Sequence, residues 1–265
     1  MNVNDITRVF SARMRLTTLG LVTGFLASGF SGAGAAPVMA PTAEAVGAET
    51  AALSRAATEK RRETLSTFSV SAWAASAVGR IDAEVLRLAL SAAQCATASG
   101  TVKNPATLTI IDYSKASVEP RLWVLDLKAR ELIYEELVSH GQGSGGNLAT
   151  KFSNTPESHQ TSIGLFVTDA AYIGRNGYSL RLDGLDKGFN DRARERAIVM
   201  HGAPYVNASI SQTLGRLGRS HGCPAVRDDV AHELINRVKG GSLVFAYYPD
   251  AEWLRSSKFL GNCGN

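Results

Sequence analysis

The sequence predicts a β-rich α+β fold of mainly antiparallel strands with a few helices packed on it, and three features point there. Short runs of alternating or β-branched residues recur between residues 106 and 248. Turn-forming residues separate neighbouring runs. Two stretches, after Asp82 and after Asp228, instead carry apolar residues at helical spacing.

Taken in order, Arg8, Arg13 and Arg15 precede an apolar run from Leu16 to Phe30, and Ala33-Gly34-Ala35-Ala36 supplies small residues of the kind a signal peptidase accepts. Residues 1–36 therefore read as a secretory signal. The run is shorter than the ~20 residues a membrane span needs, so a retained anchor or a peripheral membrane association is the secondary reading. Residues 37–80 are rich in Ala, Ser, Thr and Glu, with charges clustered at Glu59, Lys60, Arg61, Arg62 and Glu63, and are expected to form a linker or N-terminal extension with at most marginal helix.

A catalytic domain is expected over 81–250. Asp82 is an N-cap for a helix with Val85, Leu88, Ala89, Ala92, Cys95 and Ala96 on one face, and Gly100 ends it. Thr107–Asp112, Arg121–Asp126 and Glu131–Val138 form a meander, turning at residues 127–130. A glycine-rich loop from Gly141 to Asn154, with Pro156 and His159 beyond it, leads to a strand over 162–167. Ala171–Gly174 and Tyr178–Leu182 make a hairpin through Asn176-Gly177. The polar segment 183–196 is an exposed loop, a short helix or a lid, and Ala197–Met200 is a short buried strand ending at His201. Asp228 can cap a helix bearing Val230, Leu234, Ile235 and Val238, stopped by Gly240-Gly241. A last strand runs from Ser242 to Tyr248, and residues 251–265 form a polar, irregular C-terminal tail.

Composition bounds the function. A chain of 265 residues, 45% hydrophobic and 20% charged, suits one domain with extensions. The net charge of +4 is scattered rather than gathered into a run, and no nucleic-acid-binding signature accompanies it. In an exported chain three cysteines leave one over: a free Cys223, with Cys95 and Cys263 either bridged or separately inert.

Chemistry concentrates in Gly218-Arg219-Ser220-His221-Gly222-Cys223-Pro224-Ala225 and in Met200-His201-Gly202-Ala203. A thiol of ordinary pKa, about 8.5, is only a few per cent ionised at neutral pH, so an acyl-transfer cysteine needs a base. His201 and His221 are the candidates. His201 ends a rigid strand beside a glycine and is preferred; His221, one residue removed from the cysteine, is assigned to shaping the pocket or binding substrate. The backbone N–H groups of Gly222 and Cys223 are the natural oxyanion donors. Ser220 orients a histidine or the substrate carbonyl, or simply makes a turn. His140 and His159 are placed to face the cleft, and His232 to face solvent. The histidines match no short zinc motif and a metal would quench the thiolate, so neither metal nor cofactor is expected.

His201 followed by Ser220-His221-Gly222-Cys223 resembles the signature of the murein L,D-transpeptidase catalytic domain family, the YkuD-like peptidoglycan enzymes. Ile111-Asp112-Tyr113-Ser114, Arg121-Leu122-Trp123-Val124, Ser139-His140-Gly141, Phe152-Ser153-Asn154, Ser162-Ile163-Gly164, Leu182-Asp183-Gly184-Leu185, Phe189-Asn190 and Arg196–His201 carry the likeness over roughly residues 82–248. The resemblance implies a sandwich- or barrel-like β fold, a thioester on Cys223, His201 as base and the Gly202 carbonyl orienting its ring. It also implies peptidoglycan stem peptides as substrate, joined by 3–3 or 1–3 links, carbapenem-type β-lactams as covalent inhibitors, and a place in the periplasm or cell envelope. Many relatives follow the Gly-Cys pair with a hydrophobic residue and then Arg or Asn, where this chain has Pro224 and Ala225; Arg227 or Arg219 then falls to donor binding, with Tyr205 a further candidate. Hydrolysis of stem peptides, as a carboxypeptidase or endopeptidase, and a non-catalytic cell-wall-binding module are the alternatives.

Overall fold

The computed structural model describes residues 43–261 and Cys263. The expected signal over 1–36 lies outside the described residues, as does the start of the extension that follows it. Helix α1 (Ala43–Thr67) lacks a strong apolar stripe, and its side chains from residue 49 to 59 are exposed. Packing starts earlier than the boundary expected at residue 81: Phe68, Trp73 and Val78, the last on the short helix α2 (Ala75–Val78), belong to the main core cluster. Three isolated apolar anchors leave no periodic trace in a sequence, which is why this segment reads as linker.

Helix α3 (Ala83–Ala98) is capped by Asp82, whose side chain accepts from the Glu84 and Val85 N–H groups. Nine of its residues are buried, Val85, Leu90 and Ala96 among them. Each fully buried Leu or Val contributes about 1.5–3 kcal/mol over leaving it in water.

Among the described residues one eight-stranded sheet runs in the order β3-β2-β1-β8-β4-β5-β6-β7. Strands β1 (Thr107–Asp112), β2 (Leu122–Asp126) and β3 (Glu131–Glu136) form the expected antiparallel meander. Strand β8 (Leu243–Tyr247) inserts between β1 and β4 and is parallel to β1. The stretches read as a strand over 162–167 and the first arm of a hairpin are one strand, β4 (Gly164–Gly174), whose register shifts between Thr168 and Ala171 where it pairs with β5 (Gly177–Gly184). Strands β6 (Val199–Gly202) and β7 (Ala225–Val226) pair in parallel. Beyond β3, the Ser139 N–H donates to the Ala225 carbonyl at 2.8 Å, which brings the two ends of the sheet together and makes it barrel-like. The fold is thus β-rich, mostly antiparallel α+β.

Strand alternation separates two cores. Leu108, Ile110, Leu165, Leu243 and Phe245 face the cluster covered by α3. Helix α4 (Ala208–Leu214) follows β6; Ile111, Tyr113, Phe166, Val244 and Ala246 face the other core, which also takes Met200, Cys223 and Leu234, Ile235 and Val238 from α5 (Asp228–Val238). Cys223 therefore sits against the second core.

One expectation is corrected. The C-terminal tail is packed: helix α6 (Ala251–Ser256) buries Trp253 completely against Phe245 and Tyr247, Phe259 is buried, and Cys263 forms a disulfide with Cys95 at a Cα–Cα distance of 5.3 Å. Closing a sequence separation of 168 contributes about 5 kcal/mol in the chain-entropy picture. Segment 183–196 takes the loop form among its three readings, a run of turns with its charged residues largely exposed. Buried Asp186 accepts from the Leu165 N–H at 2.7 Å and Asn190 donates to the Leu165 carbonyl at 3.0 Å, so the segment is stapled to β4. Those two polar residues do the work of apolar ones and look like surface in a sequence.

Candidate active site

Parallel pairing of β6 with β7 sets His201 opposite Ala225, so the histidine stands one strand away from the cysteine loop. Upstream, the Val199 N–H points at Cys223 Sγ at 3.5 Å, and Sγ lies 3.7 Å from the Ala197 carbonyl. The loop is held from within by Ser220, whose Oγ accepts from the Gly222 N–H at 3.1 Å and donates to the Cys223 carbonyl at 2.6 Å. From outside, the Ser220 N–H donates to the His140 carbonyl and the Gln142 N–H to the Ser220 carbonyl. Ser220 is thus a brace of the turn. It also engages the Gly222 N–H, one of the two oxyanion donors read from the sequence. Among the described residues the Cys223 N–H has no such partner and is free to donate.

His201 Nδ1 lies 2.7 Å from the Gly202 carbonyl. A carbonyl only accepts, so Nδ1 carries the proton and Nε2 keeps its lone pair. Burial pulls His201 below its ordinary value of 6.5, against the opposing pull of the Gly202 bond and of Asp228. Burial raises the Cys223 thiol above its ordinary value, opposed by the Val199 N–H and by the Arg196 guanidinium. Both shifts favour the neutral thiol and the neutral imidazole over a thiolate–imidazolium pair.

Cys223 and His201 line one cleft of about 990 Å³. His221 is exposed there and stacks on His159, ring centroids 4.3 Å apart and planes 11° from parallel. Tyr205 also lines the cleft; its ring packs where a Gly218 side chain would stand, its hydroxyl faces Ser139, and burial pushes it up to about 12. Arg219 contributes to the wall while Nη1 donates to the Gly145 carbonyl at 2.7 Å. The tip of the β4–β5 hairpin, Arg175 and Asn176, overhangs the same space.

Two candidates are placed elsewhere. Arg227 is held by Glu136, with Nε and Nη2 each 3.0 Å from a carboxylate oxygen, and by Asp229 at 2.7 Å, and it is no part of the cleft wall. Its partner comes from β3, a pairing invisible along the chain. His140 is buried beneath the glycine-rich loop rather than facing the cleft, with Nδ1 2.8 Å from Nη2 of the equally buried Arg121. His159, beyond that loop, is the one of the two histidines at the cleft.

Burial, then the neighbouring Arg121 charge, pushes His140 down to about 4. The folded protein holds this ring neutral while an unfolded chain takes up the proton near 6.5, so acid favours unfolding across that interval. The loss between pH 6.5 and 4 is expected to be about 3 kcal/mol at 1.36 kcal/mol per unit. Urea unfolding at pH 7, 5 and 4 checks this: His140→Asn, which keeps an acceptor for Arg121 but does not titrate, should lose about that much less than the wild type. Parallel losses in the two proteins would contradict it.

Arg196 is the cleft residue that the motif does not announce. Its guanidinium donates to the carbonyls of Ser153 and Gln160 and to the hydroxyls of Ser158 and Ser162. It lies three residues before β6, and nothing local to it in the sequence marks it as a cleft residue. Among the described residues no group of three or more His, Cys, Asp or Glu side chains is arranged to hold a metal ion.

A family model described as the L,D-transpeptidase catalytic domain matches residues 78–247. No curated protein matches the chain. Among solved structures, an L,D-transpeptidase from Mycobacterium smegmatis is 17% identical with a TM-score of 0.34, covering 54% of this chain and 59% of that one. An L,D-transpeptidase in complex with imipenem is 16% identical with a TM-score of 0.33, covering 54% and 59%. An L,D-transpeptidase from Xylanimonas cellulosilytica is 19% identical with a TM-score of 0.30, covering 58% and 68%. This chain spans about three fifths of the length of the first two.

Proposed function

The chain belongs to the L,D-transpeptidase catalytic domain family, and from that membership we propose that it joins peptidoglycan stem peptides through a thioester on Cys223, with His201 as general base. The observation that supports this most is one free thiol and one histidine with a fixed tautomer, both opening on the same cleft.

In the first half-reaction Sγ attacks the carbonyl carbon on the L-centre of the donor residue and its proton passes to His201 Nε2. The Cys223 N–H meets the developing oxyanion. As the C–N bond breaks, His201 returns the proton to the departing amine of the terminal D-residue, leaving an S-acyl enzyme. In the second half the amine of another stem attacks the thioester, giving its proton to His201, and the thiol is restored.

The Arg-led apolar run at the N-terminus supports export to the envelope, where this substrate lies. Among the described residues no helix is long and apolar enough to cross a membrane. Incubation with purified tetrapeptide muropeptides should yield new cross-linked dimers that Cys223→Ala does not make. Trimmed monomers without dimers would instead assign hydrolysis, with water in place of the acceptor amine; no product at all would count against turnover.

A further inference from the structure

Arg196 is half-buried in the cleft wall, and its two terminal nitrogens are spent on four acceptors of the segment 153–162: the Ser153 carbonyl at 2.6 Å, the Ser162 hydroxyl at 2.5 Å, the Gln160 carbonyl at 2.7 Å and the Ser158 hydroxyl at 3.2 Å. None of the four is a carboxylate, and Glu157, the one acid of that segment, acts on the guanidinium through the cleft without a hydrogen bond or ion pair to it. The segment fixes the guanidinium in place without neutralising it, unlike Arg227 or Arg194, which sit against acids. The same residue borders the cysteine loop. Nη2 lies 3.4 Å from the position a Cβ on Gly222 would take, and the carbonyl of the next residue, Ala197, is 3.7 Å from Sγ.

We infer that Arg196 is a positioning residue for the nucleophile, a fixed positive charge on the cleft wall that favours the thiolate of Cys223 as its proton leaves for His201. The other titratable groups around the sulfur do not supply that charge. His201 on β6 is kept neutral by burial, with Asp228 of α5 acting on it. Burial holds the phenols of Tyr113, just after β1, and Tyr205 in their neutral form. His221, in the cysteine's own loop, is exposed and stacked on His159. A nearby opposite charge favours an ionised group, and a guanidinium keeps its charge throughout the pH range in which a thiol titrates. The clamp also explains why the side chain is an arginine: a lysine would supply the charge but not the four-way fork.

The inference rests on Cys223 being the nucleophile, but its test does not require turnover. Cys95 and Cys263 are bridged and Cys223 is the free thiol, so iodoacetamide reports on Cys223 alone when the disulfide is intact. The rate of alkylation against pH gives the midpoint of ionisation. Arg196→Gln is expected to raise that midpoint by about one pH unit or more, roughly tenfold slower alkylation at any pH below both midpoints. Arg196→Lys, which restores charge but not the fork, is expected to stay within about half a unit of the wild type. An unchanged midpoint in Arg196→Gln overturns the inference, as does a lysine variant that moves a full unit upward. Thermal unfolding of each variant shows whether it is folded; should the glutamine variant fail to fold, the lysine variant decides alone. A midpoint that responds to Arg196 in a protein that makes no muropeptide product would retire the proposed function and leave the inference standing.

Discussion

His201→Gln is expected to slow acylation of Cys223 by a carbapenem roughly 10²–10⁴-fold, the range that a positioned general base contributes. Glutamine can still donate to the Gly202 carbonyl, which His201 Nδ1 now reaches at 2.7 Å, so the strand end keeps its local hydrogen bond. What it lacks is a lone pair of suitable basicity in place of Nε2. Because burial holds the thiol above its ordinary value, few molecules carry a thiolate at neutral pH without that base. The pH profile carries the same signature. His201 must be neutral to act, and burial pulls it below 6.5, so the acid limb of wild-type acylation should fall below that pH and be missing from the glutamine variant. A variant within about threefold of wild type, or an acid limb unchanged by the substitution, would remove His201 from the role.

Gly222→Ala is expected to reduce acylation at least about a hundredfold while lowering the melting temperature only modestly. Gly222 has φ of +122°, a region costly for a residue with a side chain, and an added Cβ would lie 2.8 Å from the Gln160 carbonyl. Gln160 belongs to the segment clamped by Arg196, so it has little room to withdraw. The loop must shift, and both the Cys223 N–H and Sγ shift with it. Displacement of reacting groups by about 1 Å can cost about 10²-fold. Acylation kinetics set beside thermal unfolding separate the two effects. Equal acylation rates in a folded Gly222→Ala protein would show that the loop geometry is not tuned as described.

The parts of this molecule legible in the sequence are those written in consecutive residues. Strands β1 to β3 follow from β-branched runs separated by turns, and helices α3 and α5 from apolar spacing between recognisable stops. Cys223 with Ser220, His221 and Gly222, and His201 at the end of a strand, are local patterns too. What escaped notice depends on partners far along the chain. Glu136 occupies Arg227 from 91 positions away, and Arg121 draws His140 inward from 19. Arg196 clamps a segment 34 to 43 positions before it, so its place in the cleft has no local trace. Trp253 and Phe259 anchor the C-terminal segment as isolated residues in polar sequence, too few to establish a period. The parallel insertion of β8 beside β1 likewise joins the last strand to the first, and nothing in either strand names the other.

Covalent labelling tests the central claim most directly. The purified protein, with the Cys95–Cys263 bridge intact, is incubated with a carbapenem and its intact mass is recorded beside that of Cys223→Ala. The strained acyl carbonyl of the β-lactam stands in for the donor peptide carbonyl, and ring opening leaves the drug bound through a thioester. A single adduct of the full drug mass is expected on the wild type, mapped to the peptide containing Cys223, and none on the variant. A folded wild type that remains unmodified, or an adduct that persists on Cys223→Ala, would contradict it.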